Sequence, residues 1–204
     1  MSEWKEYISK TSMKPPSELL KKAVKETSDK ELALDLGPGA FKDTKFLLSS
    51  GFKKVIAVDI ADEGLEHIKD LIPAKVEFVN TSFDKFRFSD HKFDLINAQF
   101  SLPFNSPSTF KVMFENLKSS LKPDGIFAGQ FFGIRDKWNN GKNDLTFHTL
   151  TEILIMMRGM EIIELKEDEE DRAPVIGDIK HWHVYHIIAS KMSSVPEEDS
   201  GSEN

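Results

Sequence analysis

The chain has 204 residues, 39% of them apolar and 30% charged, with 16 Phe. That is enough for one globular domain with a substantial core. A net charge of -7 argues against DNA or RNA as a partner, and the absence of Cys excludes disulfides, Cys-ligated zinc and thiolate nucleophiles.

The start, Met1-Ser2-Glu3-Trp4-Lys5, lacks the apolar stretch of a secretory signal. Apolar runs such as Ile153–Met157 are far too short to span a bilayer. A cytoplasmic setting with no membrane partner is therefore expected. Residues 1–14 read as an irregular or weakly helical lead-in, with Trp4 and Lys14 as candidate parts of a lid. Pro15-Pro16-Ser17 opens a helix reaching about Thr27, with Leu19, Leu20 and Val24 on one face. Glu31–Leu36 reads as a buried strand that runs into Gly37-Pro38-Gly39-Ala40. A helix from Lys42 to Ser50 follows, stopped by Gly51.

Lys54–Val58 is a second apolar strand, closed by Asp59. Asp62–Leu71 reads as a helix ended by Pro73. Val76–Val79 and Phe93–Ala98 are further strands. Ser106-Pro107 supplies an N-cap and a first-turn proline for a helix to Leu121. Pro123-Asp124-Gly125 is a turn before the strand 126–132. Residues 133–145, rich in Gly and Asn, form a loop around Trp138. Thr149 and Glu152 make a capping box for a helix to Arg158. Glu161–Lys166 and His183–Ser190 are the last strands, with Glu167–Asp171 as a solvated loop between them. The main domain thus covers 15–192. Residues 193–204, acidic and almost without apolar residues, read as a disordered tail.

Strand–helix alternation implies a parallel sheet with helices on both faces, and the final strand pair implies an antiparallel edge hairpin. The Gly37–Gly39 loop at a strand-to-helix junction lets a ligand approach bare backbone. Asp59 follows Gly37 by 22 residues and ends the next strand, where a carboxylate can accept both hydroxyls of a ribose. A dinucleotide enzyme shares both features. It also wants a third Gly or Ala, and Lys42 stands there.

Leu34-Asp35-Leu36-Gly37-Pro38-Gly39-Ala40, Val58-Asp59, Phe93-Asp94-Leu95-Ile96-Asn97-Ala98 and Leu121-Lys122-Pro123-Asp124-Gly125 together resemble the class I S-adenosylmethionine-dependent methyltransferases. The likeness spans about residues 14–191 and is nearest to small tellurite-resistance-type enzymes. It implies an α/β, Rossmann-like, seven-stranded and mostly parallel sheet with helices on both faces and the antiparallel edge hairpin. It also implies S-adenosyl-L-methionine as cofactor and a small-molecule methyl acceptor. The family's first motif usually has a third Gly where this chain has Phe41.

The cofactor-binding residues expected from this resemblance are Asp35, Gly37, Pro38, Gly39, Ala40, Asp59, Ile60, Ser82, Phe83, Asn97 and Ala98. Asp35 either orients the loop or faces the cofactor's amino acid part. Ile60 and Phe83 are candidates to sandwich adenine, and Ser82 stands where an acid often meets the adenine amino group. Gln99, Phe100, Pro103 and His148 are expected on the acceptor side, covered by the lead-in and the Trp138 loop. Direct displacement needs chiefly alignment, so no catalytic residue stands out. For a hydroxyl acceptor, His148 or His183 is a candidate base.

His181 and His183 share one strand face. Packing at the sheet edge is the preferred reading, because no carboxylate accompanies them at tight ligand spacing and no metal is expected. Two alternatives stay open, a nicotinamide-dependent oxidoreductase on a similar sheet and a non-catalytic S-adenosylmethionine-binding protein. Nothing in the sequence sets an oligomeric state.

Overall fold

The computed structural model describes residues 3–193. The expected tail, apart from Ser193, therefore lies outside the described residues. Strands β1 (Leu32–Leu36), β2 (Lys54–Asp59), β3 (Val76–Asn80), β4 (Phe93–Ala98), β5 (Leu121–Gly133), β6 (Phe147–His148), β7 (Met160–Arg172) and β8 (Lys180–Lys191) form one sheet. Its order is β3-β2-β1-β4-β5-β8-β7, and β6 pairs with β5 off this path. The first five strands are parallel, while β8 is antiparallel to both β5 and β7. The expected sheet and edge hairpin are present. The two-residue β6 is an addition, pairing with Phe132 and Gly133 beyond the end of β4.

Helices α1 (Glu3–Thr11), α2 (Glu18–Glu26), α3 (Lys42–Ser49), α4 (Pro107–Ser120) and α5 (Leu150–Met156) cover the sheet. One core joins Leu34, Ile96 and Phe127 to Phe110, Phe114 and Leu117 of α4. Another joins Ala33, Leu95 and Ala128 to Leu19, Leu20, Ala23 and Val24 of α2. Successive strand residues face opposite sides, so β1 and β4, buried throughout apart from Leu32, read as apolar runs broken only by Asp35, Asp94 and Asn97.

Five expectations change. Residues 3–11 form a regular α-helix where an irregular or weakly helical lead-in is expected. A nine-residue helix is marginal alone, and this one is anchored by buried Ile8 and Thr11. Residues 62–71 form two short 3-10 turns, Leu65–His67 and Lys69–Leu71, in place of an α-helix. Leu65, Ile68 and Leu71 recur every third residue, which a 3-10 winding sets on one face, and there they pack with Phe41, Ala57 and Val76.

The turn at Pro123-Asp124-Gly125 is absorbed into β5, where a shift in the β4–β5 register accommodates it and Asp124 takes a left-handed φ of 62°. Glu167–Asp171 is not a solvated loop. It continues β7 and pairs with 181–185 of β8, where its carboxylates meet His181, His183 and the Arg135 guanidinium. The Ser106 cap also differs: its hydroxyl caps no helix N–H and instead lies against Ser108 and Asp144. The Thr149–Glu152 capping box forms as expected.

Candidate functional site

In an open α/β sheet, ligands lie outside the carboxyl ends of the strands, where strand order reverses. Here that point is between β1 and β4. The loop after β1 carries Gly37 and Gly39 at φ 73° and 53°, torsions that only Gly adopts freely. Gly37 N–H donates to Val58 carbonyl at 2.9 Å. A side chain at Gly37 would meet Ser101 Cβ at 2.5 Å, and Ser101 Oγ donates to Leu36 carbonyl at 2.6 Å. Pro38 and Ala40 are buried in the same turn. Phe41, buried, takes φ 57° and so occupies the left-handed torsion expected of the missing third glycine.

Asp59 closes β2 beside this loop. Its Oδ2 accepts from Gly39 N–H at 3.4 Å and its Oδ1 from Ala61 N–H at 3.0 Å. Burial raises its pKa, partly opposed by these backbone bonds. Ile60, next to it, is 63% exposed, an apolar surface beside a carboxylate. Ser82 is half-buried, with its carbonyl accepting from Lys85 and Phe86 N–H. Phe83 is buried and its ring tip lies near Gly37. Tyr7 of α1 reaches the loop too, its ring 3.6 Å from where a Gly39 side chain would begin. The lead-in thus lies over the loop. Trp4 packs edge-on to Tyr7 and Phe104, and Phe104 in turn meets Trp138. Lys14 follows α1, exposed, its N–H donating to Thr11 carbonyl at 3.0 Å.

Asp35 is fully buried and meets other side chains. Thr44 Oγ1 donates to Asp35 Oδ2 at 2.5 Å, and Asn97 Nδ2 to Asp35 Oδ1 at 2.8 Å. Burial, with nearby Asp43 adding to it, pushes its pKa up to about 7. The chain of bonds continues outward. Gln99 Nε2 donates to Asn97 Oδ1 at 2.8 Å, and Gln99 Oε1 accepts from Ser17 Oγ at 2.5 Å and from Gln130 Nε2 at 2.9 Å. Gln130 Oε1 accepts Phe100 N–H at 2.8 Å, which holds Phe100 at φ 54°. Asn97, Ala98, Gln99 and Phe100 are therefore brought together at the end of β4. Pro103 is buried just beyond, its carbonyl accepting Thr146 N–H.

His148 is placed differently from its expected acceptor role. It lies on β6 between the rings of Phe110 and Phe131, with centroids at 4.8 and 5.7 Å, and its Nδ1 has no hydrogen-bond partner. Burial lowers its pKa to about 4. Between pH 6.5 and 4 the unfolded chain takes up a proton that the folded chain refuses, so this residue's contribution to stability is full above 6.5 and lost as pH falls toward 4. Asp35, its pKa raised, acts in the opposite sense. Comparison of wild type with His148→Leu by urea denaturation isolates the histidine: their stability difference should shift by roughly 2–3 kcal/mol between pH 7.5 and 4.5, in favour of the variant at low pH. A pH-independent difference would place the ring in contact with water.

His183 is buried at the hairpin instead of at the crevice. The expectation that no carboxylate accompanies the histidines is overturned by the β7–β8 register. Ligand atoms of Glu167, Glu169 and His183 lie within 4.8 Å of one another, a grouping that could hold a metal ion. The Arg135 guanidinium is already there, bonded to both glutamates at 2.6–2.8 Å, and it holds Glu169 down at about 2. His181 pairs with Asp171 and Glu169. Nearby, buried Lys180 pairs with Asp136 and stacks its ammonium 3.8 and 3.7 Å from the centroids of Trp138 and Trp182. This fixes the Trp138 loop against the sheet.

Sequence reasoning missed Tyr7, Ser17, Thr44, Gly64, Ser101, Gln130 and His186. All but Thr44, nine residues from Asp35, reach the site through pairings distant in sequence. Among the described residues no helix is long and apolar enough to cross a membrane.

Residues 33–125 match the model of a family described as "Methyltransferase domain". The chain is 32% identical over 107 residues to the mitochondrial arginine-hydroxylase NDUFAF5 of Rattus norvegicus, a match covering 52% of this chain and only 30% of that relative's length. Among solved structures, TehB of Haemophilus influenzae superposes with a TM-score of 0.74 at 14% identity, over 90% of this chain and 65% of that one. The 1,6-didemethyltoxoflavin-N1-methyltransferase of Burkholderia thailandensis, with bound 1,6-didemethyltoxoflavin and S-adenosylhomocysteine, gives 0.66 at 18% identity, over 90% and 80%. The N-methyltransferase NodS of Bradyrhizobium japonicum, also with S-adenosylhomocysteine, gives 0.65 at 15%, over 85% and 83%. The family match over residues 33–125 and the shared fold make this chain similar to the class I S-adenosylmethionine-dependent methyltransferases.

Proposed function

We propose that this chain binds S-adenosyl-L-methionine and catalyses transfer of its methyl group to a small-molecule acceptor by direct displacement. The observation that carries the reading is the pairing of a bare Gly37–Gly39 backbone with the Asp59 carboxylate at the ends of adjacent strands. The cofactor supplies an activated methyl on a sulfonium. The residues present suit it: Asp59 accepts the ribose hydroxyls, and exposed Ile60 with buried Phe83 flanks the adenine, with Ser82 beside it. The amino acid part lies against the loop that Asp35 steadies through Thr44 and Asn97.

Gln99, Phe100 and Pro103 then border the acceptor, under the cover of α1 and the Trp138 loop. Such a cover excludes water and strengthens interactions at developing charge. The family match over 33–125 favours this reading over a nicotinamide-dependent oxidoreductase. Transfer itself separates it from a non-catalytic binder.

Calorimetry with S-adenosylmethionine and with NAD tests the cofactor, and only the first should bind. Asp59→Ala should fold normally and lose at least tenfold in affinity, as removal of a charged hydrogen-bond acceptor costs about 1.5–3 kcal/mol. Unchanged affinity in a folded variant removes Asp59 from the site.

A further inference from the structure

A pocket of about 270 Å³ opens between the start of α2 and the β7–β8 hairpin, lined by Ser17, Leu19, Phe100, Gln130, Asp168 and His186 among others. It adjoins the crevice just described. Ser17, Phe100 and Gln130 belong to the bond network that runs back through Gln99 and Asn97 to Asp35. His186 stands opposite Gln130 in the β5–β8 register, with its ring edge-on to Phe100 at 6.1 Å. Its Nε2 lies 3.2 Å from Asp168 Oδ2, off the axis of a hydrogen bond. Its Nδ1 is 3.4 Å from Gln130 Nε2, a long contact that a better donor can displace.

Resting on the methyltransferase reading above, we propose that this pocket receives a neutral, single-ring-sized acceptor bearing a hydroxyl or thiol, and that His186 accepts its proton. Size sets the first limit. A cavity of about 150 Å³ takes benzene, so this one admits a ring with short substituents. Charge sets the second. Glu18, Asp168 and Glu170 face the pocket against Arg172, which disfavours carboxylates and oxyanions.

The chemistry sets the third. Oxygen and sulfur acceptors carry a proton that must leave as the new bond forms. In the step, the acceptor's X–H proton passes to His186 Nδ1 while X–CH3 forms. The CH3–S bond breaks with its electron pair staying on sulfur, releasing S-adenosylhomocysteine. The imidazolium is balanced by Asp168 and returns its proton to water. Burial lowers the His186 pKa, and Asp168 raises it in part. Glu164, Lys166 and Arg172 of β7 also act on it, and Glu18 of α2 and Glu170 share its pocket.

The test follows S-adenosylhomocysteine production with four probes, catechol, benzyl mercaptan, benzylamine and benzoate. S-adenosylmethionine affinity is measured alongside by calorimetry. Catechol or benzyl mercaptan should be methylated. His186→Gln should lower kcat at least 100-fold with cofactor affinity changed less than twofold. Asp168→Asn should move the acid limb of the kcat profile to lower pH, a shift that a purely structural role would not produce. Cofactor binding without methylation of either hydroxyl or thiol probe, activity confined to benzylamine or benzoate, or an unaltered rate in a folded His186→Gln overturns the proposal. Absence of cofactor binding overturns the methyltransferase reading itself.

Discussion

Gly64→Ala is expected to reduce affinity for S-adenosylmethionine by about 100-fold and to destabilise the fold. Local preference points the other way. Gly64 has φ -84°, which Ala adopts freely, and Ala is the better residue in helical windings by about 1 kcal/mol. The obstacle is tertiary. A Cβ there would stand 2.1 Å from the Gly39 carbonyl oxygen and 2.9 Å from the Phe41 ring.

Carbon and carbonyl oxygen approach no closer than about 3.3 Å even in favourable contacts. The glycine loop must therefore retreat by roughly 1 Å, and misplacement on that scale is enough for about a 100-fold loss. Overpacking adds about 1–3 kcal/mol of destabilisation. Calorimetry and urea denaturation read the two effects separately. A variant that is stabilised, with full cofactor affinity, would mean that the loop's position does not depend on Gly64.

Phe41→Ala should cost about 3–5 kcal/mol of stability, the usual penalty for emptying a buried phenylalanine site. Phe41 is 1% exposed and packs with Ala57, Ile68 and Val76, edge-on to Phe78 at 5.9 Å. Phe41→Gly removes the same ring, yet should be the more stable of the two by roughly 1 kcal/mol, because Gly relieves the left-handed torsion that Ala must still bear. That order reverses what is expected at an ordinary buried position, where Ala is preferred to Gly. Urea denaturation of the pair decides it. If Phe41→Ala proves as stable as Phe41→Gly, the residue does not hold a positive φ in solution. The comparison also explains how the loop tolerates a phenylalanine at a left-handed torsion: the ring's burial outweighs the torsional cost by a few kcal/mol.

Much of the molecule was legible from local pattern. The apolar runs of β1, β2 and β4, the Gly37-Pro38-Gly39 junction, Asp59 and the Thr149–Glu152 capping box each follow from chemistry contained within a few residues, and each appears where expected. Two motif residues that read as separate signals, Asp94 and Lys122, turn out to be partners. Asp94 binds Lys122 Nζ and the N–H groups of Glu31 and Leu32, tying the amino-terminal ends of β1, β4 and β5 together, away from the site.

What the tertiary structure alone decided depends on strand register and on close approach. The acidic run 167–171 is polar enough for a loop, and only its alignment with 181–185 of β8 makes it a strand. The same alignment sets carboxylates beside His181 and His183. His148 and His186 have the same side chain, yet one is sealed between phenyl rings and the other opens on a pocket. The difference arises from neighbours contributed by distant segments. Residues 62–71 show the limit most plainly. Their three-residue apolar spacing is compatible with either helical winding over so short a span, and the close approach of Gly64 to the Gly39 carbonyl, made only in the folded chain, is where that segment meets the glycine loop.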